Sequence, residues 1–169
     1  MKNILTLDAK NYDPDLPEIR RTAVRGIIFR EDKLLLINSV FGELKFPGGG
    51  QEEGESDLET LIRETLEETG YRVIPESVRE FGEVEEIRLD KHEPKIWHPI
   101  SRYYFCDVAD RQEECHYTES EQKYGFHQVW RTLDEAIEIN RATLLKEGSP
   151  SWQHREYYVL QLIKQHMEQ

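Results

Sequence analysis

Residues 46–70 constrain this chain more than any other stretch. Phe46-Pro47 leads into three consecutive glycines, Gly48, Gly49 and Gly50. Glycine reaches positive φ and lets other groups approach the backbone closely, so the triplet predicts a loop wrapped around something. A helix follows. Ser56 stands as its N-cap, and Glu59 three residues on completes a capping box. Gly70, after Thr69, is a natural C-terminal stop. On a helical wheel Leu58, Ile62, Thr65 and Thr69 share one side, with Leu61 and Leu66 at its margins. Glu64, Glu67 and Glu68 share the other.

Three carboxylates at i, i+3 and i+4 repel one another by a few tenths of a kcal/mol per pair. A solvated acidic face is the plain explanation. Three features favour a site instead: the glycine loop just upstream, Arg63 beside the acids, and the absence of apolar residues from the acidic face. Clustered carboxylate oxygens are hard ligands that suit magnesium or manganese.

The 169 residues carry 34 acidic and 22 basic side chains, a formal net charge of −12. Such a field excludes non-specific binding to nucleic acid or to an anionic membrane. An anionic substrate would need a metal ion or a local basic patch. Cys106 and Cys115 make no disulfide framework and fit a reducing compartment. Met1–Asp8 lacks the apolar core of a signal peptide, and no apolar run reaches bilayer length, so the expected location is the cytoplasm.

The length favours one domain, 1–169, with residues 1–20 as an N-terminal extension that is turn-rich around Asp13-Pro14-Asp15-Leu16-Pro17. Thr22–Phe29 and Lys33–Ile37 read as a β-hairpin. After the helix, strands are expected over Arg72–Ile74, Val84–Leu89 and Trp97–Val108, with Lys91–Lys95 as a hairpin tip. Asp110–Tyr124 reads as an acidic loop, Phe126–Trp130 as a short strand and Leu133–Leu145 as a helix. Gly148-Ser149-Pro150 is a break before a terminal helix, Ser151 to Met167, with Tyr158, Leu162 and Trp152 facing inward. Strands interleaved with helices indicate an α/β or α+β domain.

The segment Gly49-x5-Glu55-x7-Arg63-Glu64-Thr65-Leu66-Glu67-Glu68-Thr69-Gly70-Tyr71 is similar to the signature box of the Nudix hydrolases, G-x5-E-x7-R-E-U-x-E-E-x-G-U. Every fixed position matches. Thr65 and Tyr71 stand where a bulky aliphatic residue U is usual, and both are packing positions. The resemblance implies an α/β/α sandwich around a mixed β-sheet, with the box (49–71) as loop-helix-loop. It implies metal-dependent hydrolysis of a nucleoside diphosphate linked to another group X, by attack of water at phosphorus. It implies Glu64, Glu67, Glu68 and the Gly48 carbonyl as ligands of Mg2+ or Mn2+, with Arg63 orienting the glutamates. Glu55 lies about half a turn round from Glu64 on a continuous helix, so it is expected before the helix, holding the loop.

In this family the general base is a box glutamate or a glutamate in the loop before a late strand. Glu121 is favoured here, with Glu119 as runner-up. Phe41, Trp97, Tyr103 and Tyr104 are candidates to stack on a base, and Arg25, Arg102 and Lys45 to contact phosphate. His92, His98, His116, His127 and His154 have no metal-ligand spacing. The expected partner is a small nucleotide, and a homodimer is compatible with this reading. Residues 83–88 lack the proline that marks many ADP-ribose hydrolases and the tyrosine of some dinucleoside polyphosphate hydrolases. What remains resembles the broad MutT-type hydrolases. The alternative is a catalytically silent domain of the same fold that senses a nucleotide, which the intact box glutamates oppose.

Overall fold

In a computed structural model of the chain, residues 1–146 and 152–169 are described. The break expected at Gly148-Ser149-Pro150, Ser151 and the side chain of Trp152 lie outside the described residues. The elements in chain order are β1 (Asn3–Asp8), β2 (Glu18–Ile27), β3 (Phe29–Arg30), β4 (Lys33–Asn38), β5 (Leu44–Lys45), β6 (Gly48–Gly50), α1 (Asp57–Thr69) and β7 (Tyr71–Val73). After a 3-10 turn follow β8 (Arg79–Leu89), β9 (Ile96–Phe105), β10 (Val108–Gln112), α2 (Glu119–Lys123), β11 (His127–Thr132), α3 (Leu133–Leu144) and α4 (Trp152–Met167).

A mixed five-stranded sheet runs in the order β1-β8-β9-β2-β6. β1 with β8 and β2 with β9 are parallel pairs, while β8 with β9 and β2 with β6 are antiparallel. A second sheet has the order β11-β4-β3, with β5 against β4, and β7 pairs with β10. Alternate side chains of β2 and β4 enter two cores. Ile27, Leu34, Leu36 and Tyr103 pack with Val159, Leu160 and Ile163 of α4. Val24, Ile28 and Leu35 pack with Leu61 of α1. The sheets thus lie between α1 on one side and the C-terminal helices on the other. No helix of the described residues is long and apolar enough to cross a membrane.

Five sequence expectations are corrected. Residues 3–8 are not part of an extension. They form the sheet's edge strand, because Ile4 and Leu5 gain burial against the first core and Gly82 leaves room for the Ile4 side chain. The 22–37 hairpin is split between the sheets: β2 stays in the first, and β3 pairs with β4 in the second. The stretch 97–108 ends its first strand at Phe105, and Val108 opens β10 against β7. The acidic segment 110–124 is not all loop, because it holds the end of β10 and the capped helix α2. In α4, Tyr158 is exposed and Leu162 half-buried, while Val159, Leu160 and Ile163 fill the core.

The box helix keeps its expected ends. Ser56 accepts from the Glu59 N–H, Glu59 accepts from the Ser56 N–H, and Gly70 closes the helix at φ 73°. Its buried stripe is rotated from the wheel reading. Leu58 is 38% exposed, whereas Leu61, Thr65, Glu68 and Thr69 are buried. The helix packs against β2, β6, β7 and β11 together, so its C-terminal half is enclosed on several sides.

Candidate active site

A cleft of about 550 Å³ opens where α4 stops covering the sheet and the glycine strand β6 forms its edge. Gly48 has φ +146°, and a Cβ there would stand 2.1 Å from the Val24 carbonyl oxygen. A Cβ on Gly49 would stand 2.6 Å from the Glu64 carboxyl. The triplet is therefore a short strand rather than a loop, and its bare backbone lets the acids of α1 close over it.

Glu64, Glu68 and Gly48 line the cleft. Glu68 is 1% exposed, which the acidic-face reading did not anticipate. One of its oxygens accepts from the Gly48 N–H at 2.9 Å, and the other meets Lys45 Nζ at 3.2 Å. Burial raises the Glu68 carboxyl above the usual range, against the pull of Lys45 and the Gly48 N–H. Glu67, the third acid of the box, does not line the cleft. Partial burial, then the charge of Glu64, raises its carboxyl too. Lys45 also lies over the Phe126 ring, 4.3 Å from its centre.

Arg63 ties these acids together. It donates to both oxygens of Glu55 at 2.6 and 2.9 Å and to Glu64 at 2.8 Å, and it stands 3.5 Å from Glu67. A guanidinium presents five donors in a fixed fork, which suits it to hold several carboxylates at once. Glu55 precedes the N-cap, where it also accepts from the Glu52 N–H and the Thr60 hydroxyl. Arg63, then the Glu52 N–H, hold its carboxyl down at about 2.

Glu121 lines the cleft on the side of the box, with Thr118 and Phe126, where one of its oxygens accepts from the Thr118 N–H, while Glu119 is exposed and does not line it. The cause is α2. Two residues apart on a helix is about 200°, so the pair points to opposite sides, where a strand would have aligned them. The preceding segment is fastened to the end of the box helix. The His116 N–H donates to the Glu67 carbonyl and the Tyr117 hydroxyl to the Glu68 carbonyl, both at 2.7 Å.

The opposite wall is basic and comes from alternate residues of three strands. Arg21, Ala23 and Arg25 of β2 line it with Trp97, Pro99 and Ser101 of β9 and Glu86 and Arg88 of β8. Beneath them is a buried charge network. Arg155 donates to Glu86 at 2.6 Å and to Glu156 at 2.8 Å. Glu156 also accepts from the Tyr103 hydroxyl and the Phe46 N–H, with Arg25 3.9 Å away. Burial, then the Glu156 charge, raises the Tyr103 hydroxyl.

The structure therefore brings Arg25, Lys45, Trp97, Glu64, Glu68, Gly48 and Glu121 to one cleft. It does not bring Phe41, Arg102 or Tyr104 there. Phe41 packs on Tyr124, with ring centres 5.6 Å apart. Arg102 and Tyr104 lie on the other face of β9, where both donate to Asp57 at the start of α1. Tyr103 is wholly buried, its ring edge-on to Phe46. Sequence reading missed Arg21, Arg88 and Arg155. The first two carry a readable signal, the period-2 runs Arg21-x-Ala23-x-Arg25 and Glu86-x-Arg88; Arg155 has no local signal. His98, one of the histidines without metal-ligand spacing, is buried with both ring nitrogens partnered, by Glu18 and Glu85.

Among the described residues, no three His, Cys, Asp or Glu side chains are gathered as a metal-holding group. The donor set nonetheless fits a hard divalent cation, being carboxylate oxygens closed over bare glycine backbone.

A family model described as the NUDIX domain matches residues 19–152. A Bacillus subtilis protein provisionally named an ADP-ribose pyrophosphatase is 34% identical over 92 residues, 54% of this chain and 43% of that one. A Lactococcus lactis protein provisionally named a DHNTP pyrophosphohydrolase is 32% identical over 128 residues, 68% of this chain and 71% of that one. This chain thus spans less than half of the first relative's length. A solved NUDIX hydrolase of Nitrosomonas europaea shares the fold at a TM-score of 0.53 and 21% identity, covering 83% of this chain and 90% of its own.

Proposed function

This chain belongs to the NUDIX family, and from that premise we propose that it hydrolyses the diphosphate linkage of a nucleoside diphosphate joined to a group X. The observation that carries this reading is the cleft itself, where box carboxylates and Glu121 face a wall of arginines and Trp97. A polyanion needs both halves, cations to hold it and acids to manage metal and protons.

Glu64, Glu67 and Glu68 would hold magnesium or manganese, and Gly48 adds backbone beside them. A divalent cation bound there neutralises phosphate oxygens and lowers the pKa of a coordinated water. Arg63 holds Glu64 by a hydrogen bond and Glu67 by an ion pair. Lys45 lies within reach of both Glu68 and the cleft, so it can turn to a phosphate oxygen. Glu121 is the proposed general base: a carboxylate that lines the cleft near the box can take the proton of the attacking water. Arg25 and Arg155 are already matched by Glu86 and Glu156, so they set the field of the floor rather than add free charge.

The relatives' names point to different substrates, ADP-ribose and DHNTP, and residues 83–88 lack the proline common among ADP-ribose hydrolases. The shared chemistry is the pyrophosphate bond. The Lys45–Glu68 ion pair favours the alternative, a nucleotide sensor, because it occupies one carboxylate of the metal set. A panel of nucleoside triphosphates, ADP-ribose and dinucleoside polyphosphates, incubated with magnesium or manganese and with a chelated control, decides between them. Metal-dependent cleavage of one member, read by chromatography as its nucleotide products and lost in Glu68→Gln, supports hydrolysis. Binding without turnover across the panel leaves the sensor.

A further inference from the structure

We propose that Arg21, Trp97 and Arg88 form a subsite for the aromatic end of the substrate, and that it selects nucleotides carrying a further phosphate outside the scissile diphosphate. This inference rests on the nucleotide reading above and deepens it.

Trp97 is a half-buried indole on the cleft wall, and among the described residues it has no aromatic partner. An unpartnered ring face in a cleft is a stacking platform for a base. On β8, Arg88 stands directly opposite Trp97. On β2, Arg21 stands opposite Pro99, two residues along β9 on the same face. The Arg21 guanidinium packs on Gly50 so closely that a Cβ there would meet its Nη2 at 2.2 Å. A ring laid over Trp97 therefore has one guanidinium on the side of the glycine strand and another beyond it.

Neither arginine has a carboxylate within ion-pair distance among the described residues. Arg20, Arg25, Arg102 and Arg155 all do. Arg79, Arg111 and Arg131 also lack a carboxylate at that distance among the described residues, but of these five arginines only Arg21 and Arg88 line the cleft. Arg88 makes one described hydrogen bond, from Nη1 to the Leu89 carbonyl, and its remaining donors face the cleft region unmatched. A guanidinium has donors and no acceptor, and its fork matches a phosphate. Arg21 is placed for the phosphate chain arriving from the box. Arg88 lies on the far side of the ring, where the scissile diphosphate does not reach, so a second anionic group answers it.

The test titrates the full chain, without added divalent metal, with ADP, with ADP phosphorylated on a ribose hydroxyl, and with GDP, followed by calorimetry. Repulsion from the box acids then falls hardest on the ribose-phosphorylated probe, so a gain for that probe does not come from the overall field of the chain. The ribose-phosphorylated form is expected to bind about tenfold tighter than ADP, the scale of a charge-assisted hydrogen bond. Arg88→Gln should bring the two affinities together, Arg88→Lys should keep part of the gain, and Trp97→Leu should weaken every probe. Equal affinities in the wild type, or no binding of either adenine nucleotide, overturn the proposal. So does a preference for GDP over ADP that Arg88→Gln removes, since Arg88 would then read the base edge. The metal-loaded nucleotide panel reads hydrolysis separately: discrimination in this titration with no turnover in that panel sinks the hydrolase reading alone, and turnover there without discrimination here sinks the subsite alone.

Discussion

Helix α1 carries Glu64, Glu67 and Glu68 within about one turn, brings Glu64 and Glu68 into the cleft, and ties Glu64 and Glu67 to Arg63 and Glu55 of the same segment. Helix α4 brings Arg155 and Glu156 to the floor, and their partners are Glu86, Tyr103 and Phe46, far away in the chain. The first group is partly hydrated and mutually repelling. The second is dry and matched. The difference teaches where each kind of charge can be altered. An acid that repels its neighbours can be neutralised without loss of fold, whereas one that neutralises a buried arginine cannot.

The largest effect should come from the dry group. Glu156→Ala strands Arg155 with Glu86 alone and leaves the Phe46 N–H unpaired, a loss of about 3–5 kcal/mol as for other broken buried pairs. Urea unfolding measures it, and a variant as stable as wild type would erase the contrast between the two helices.

Next is the proton chemistry of the cleft. Glu121→Gln should lower kcat at least about hundredfold, while Glu119→Gln on the opposite side of α2 leaves it near normal. Steady-state rates at saturating substrate and metal decide this. Normal rates in both would return the base role to the box acids.

Metal should act on the repelling group and spare the matched one. Magnesium at 100 times its Kd should stabilise the wild type by about 2.7 kcal/mol. Glu68→Gln should lose most of that gain in a thermal melt. An equal gain in both proteins would place the cation elsewhere.

The smallest effect concerns the clamp before the helix. The folded Glu55 carboxyl is held at about 2, below its unfolded value. Its contribution is therefore present above the unfolded pKa and lost as pH falls through the folded one. Glu55→Gln should flatten the acid limb of the stability curve between about pH 5 and about pH 2. Urea midpoints across that range would show it, and an unchanged limb would mean that Arg63 does not depend on Glu55.

The family box, both ends of α1 and the grouping of its acids were legible because each rests on partners a few residues away. The Ser56–Glu59 capping box and the Gly70 stop need no distant contact. Glu121 was readable as a candidate, but its separation from Glu119 required α2 to be a helix, whose local signal, the Thr118-x-x-Glu121 capping box, went unread. Arg102 and Tyr104 were placed in the right strand and on the wrong face, because alternation gives two faces without naming the one that meets the cleft.

By itself, then, the amino-acid sequence determined the family, the loop-helix unit and the acids it carries, since hydrogen bonds between near neighbours and glycine's freedom of φ act locally. The tertiary structure alone decided that Glu68 is buried against Lys45 and Gly48, that Ile4 belongs to the sheet, and that Arg21 and Arg88 flank Trp97. Those outcomes depend on which surfaces exclude water together. The Phe46–Glu156 bond joins residues 110 apart, and a pairing at that distance exists only once the sheet and the last helix have closed on each other.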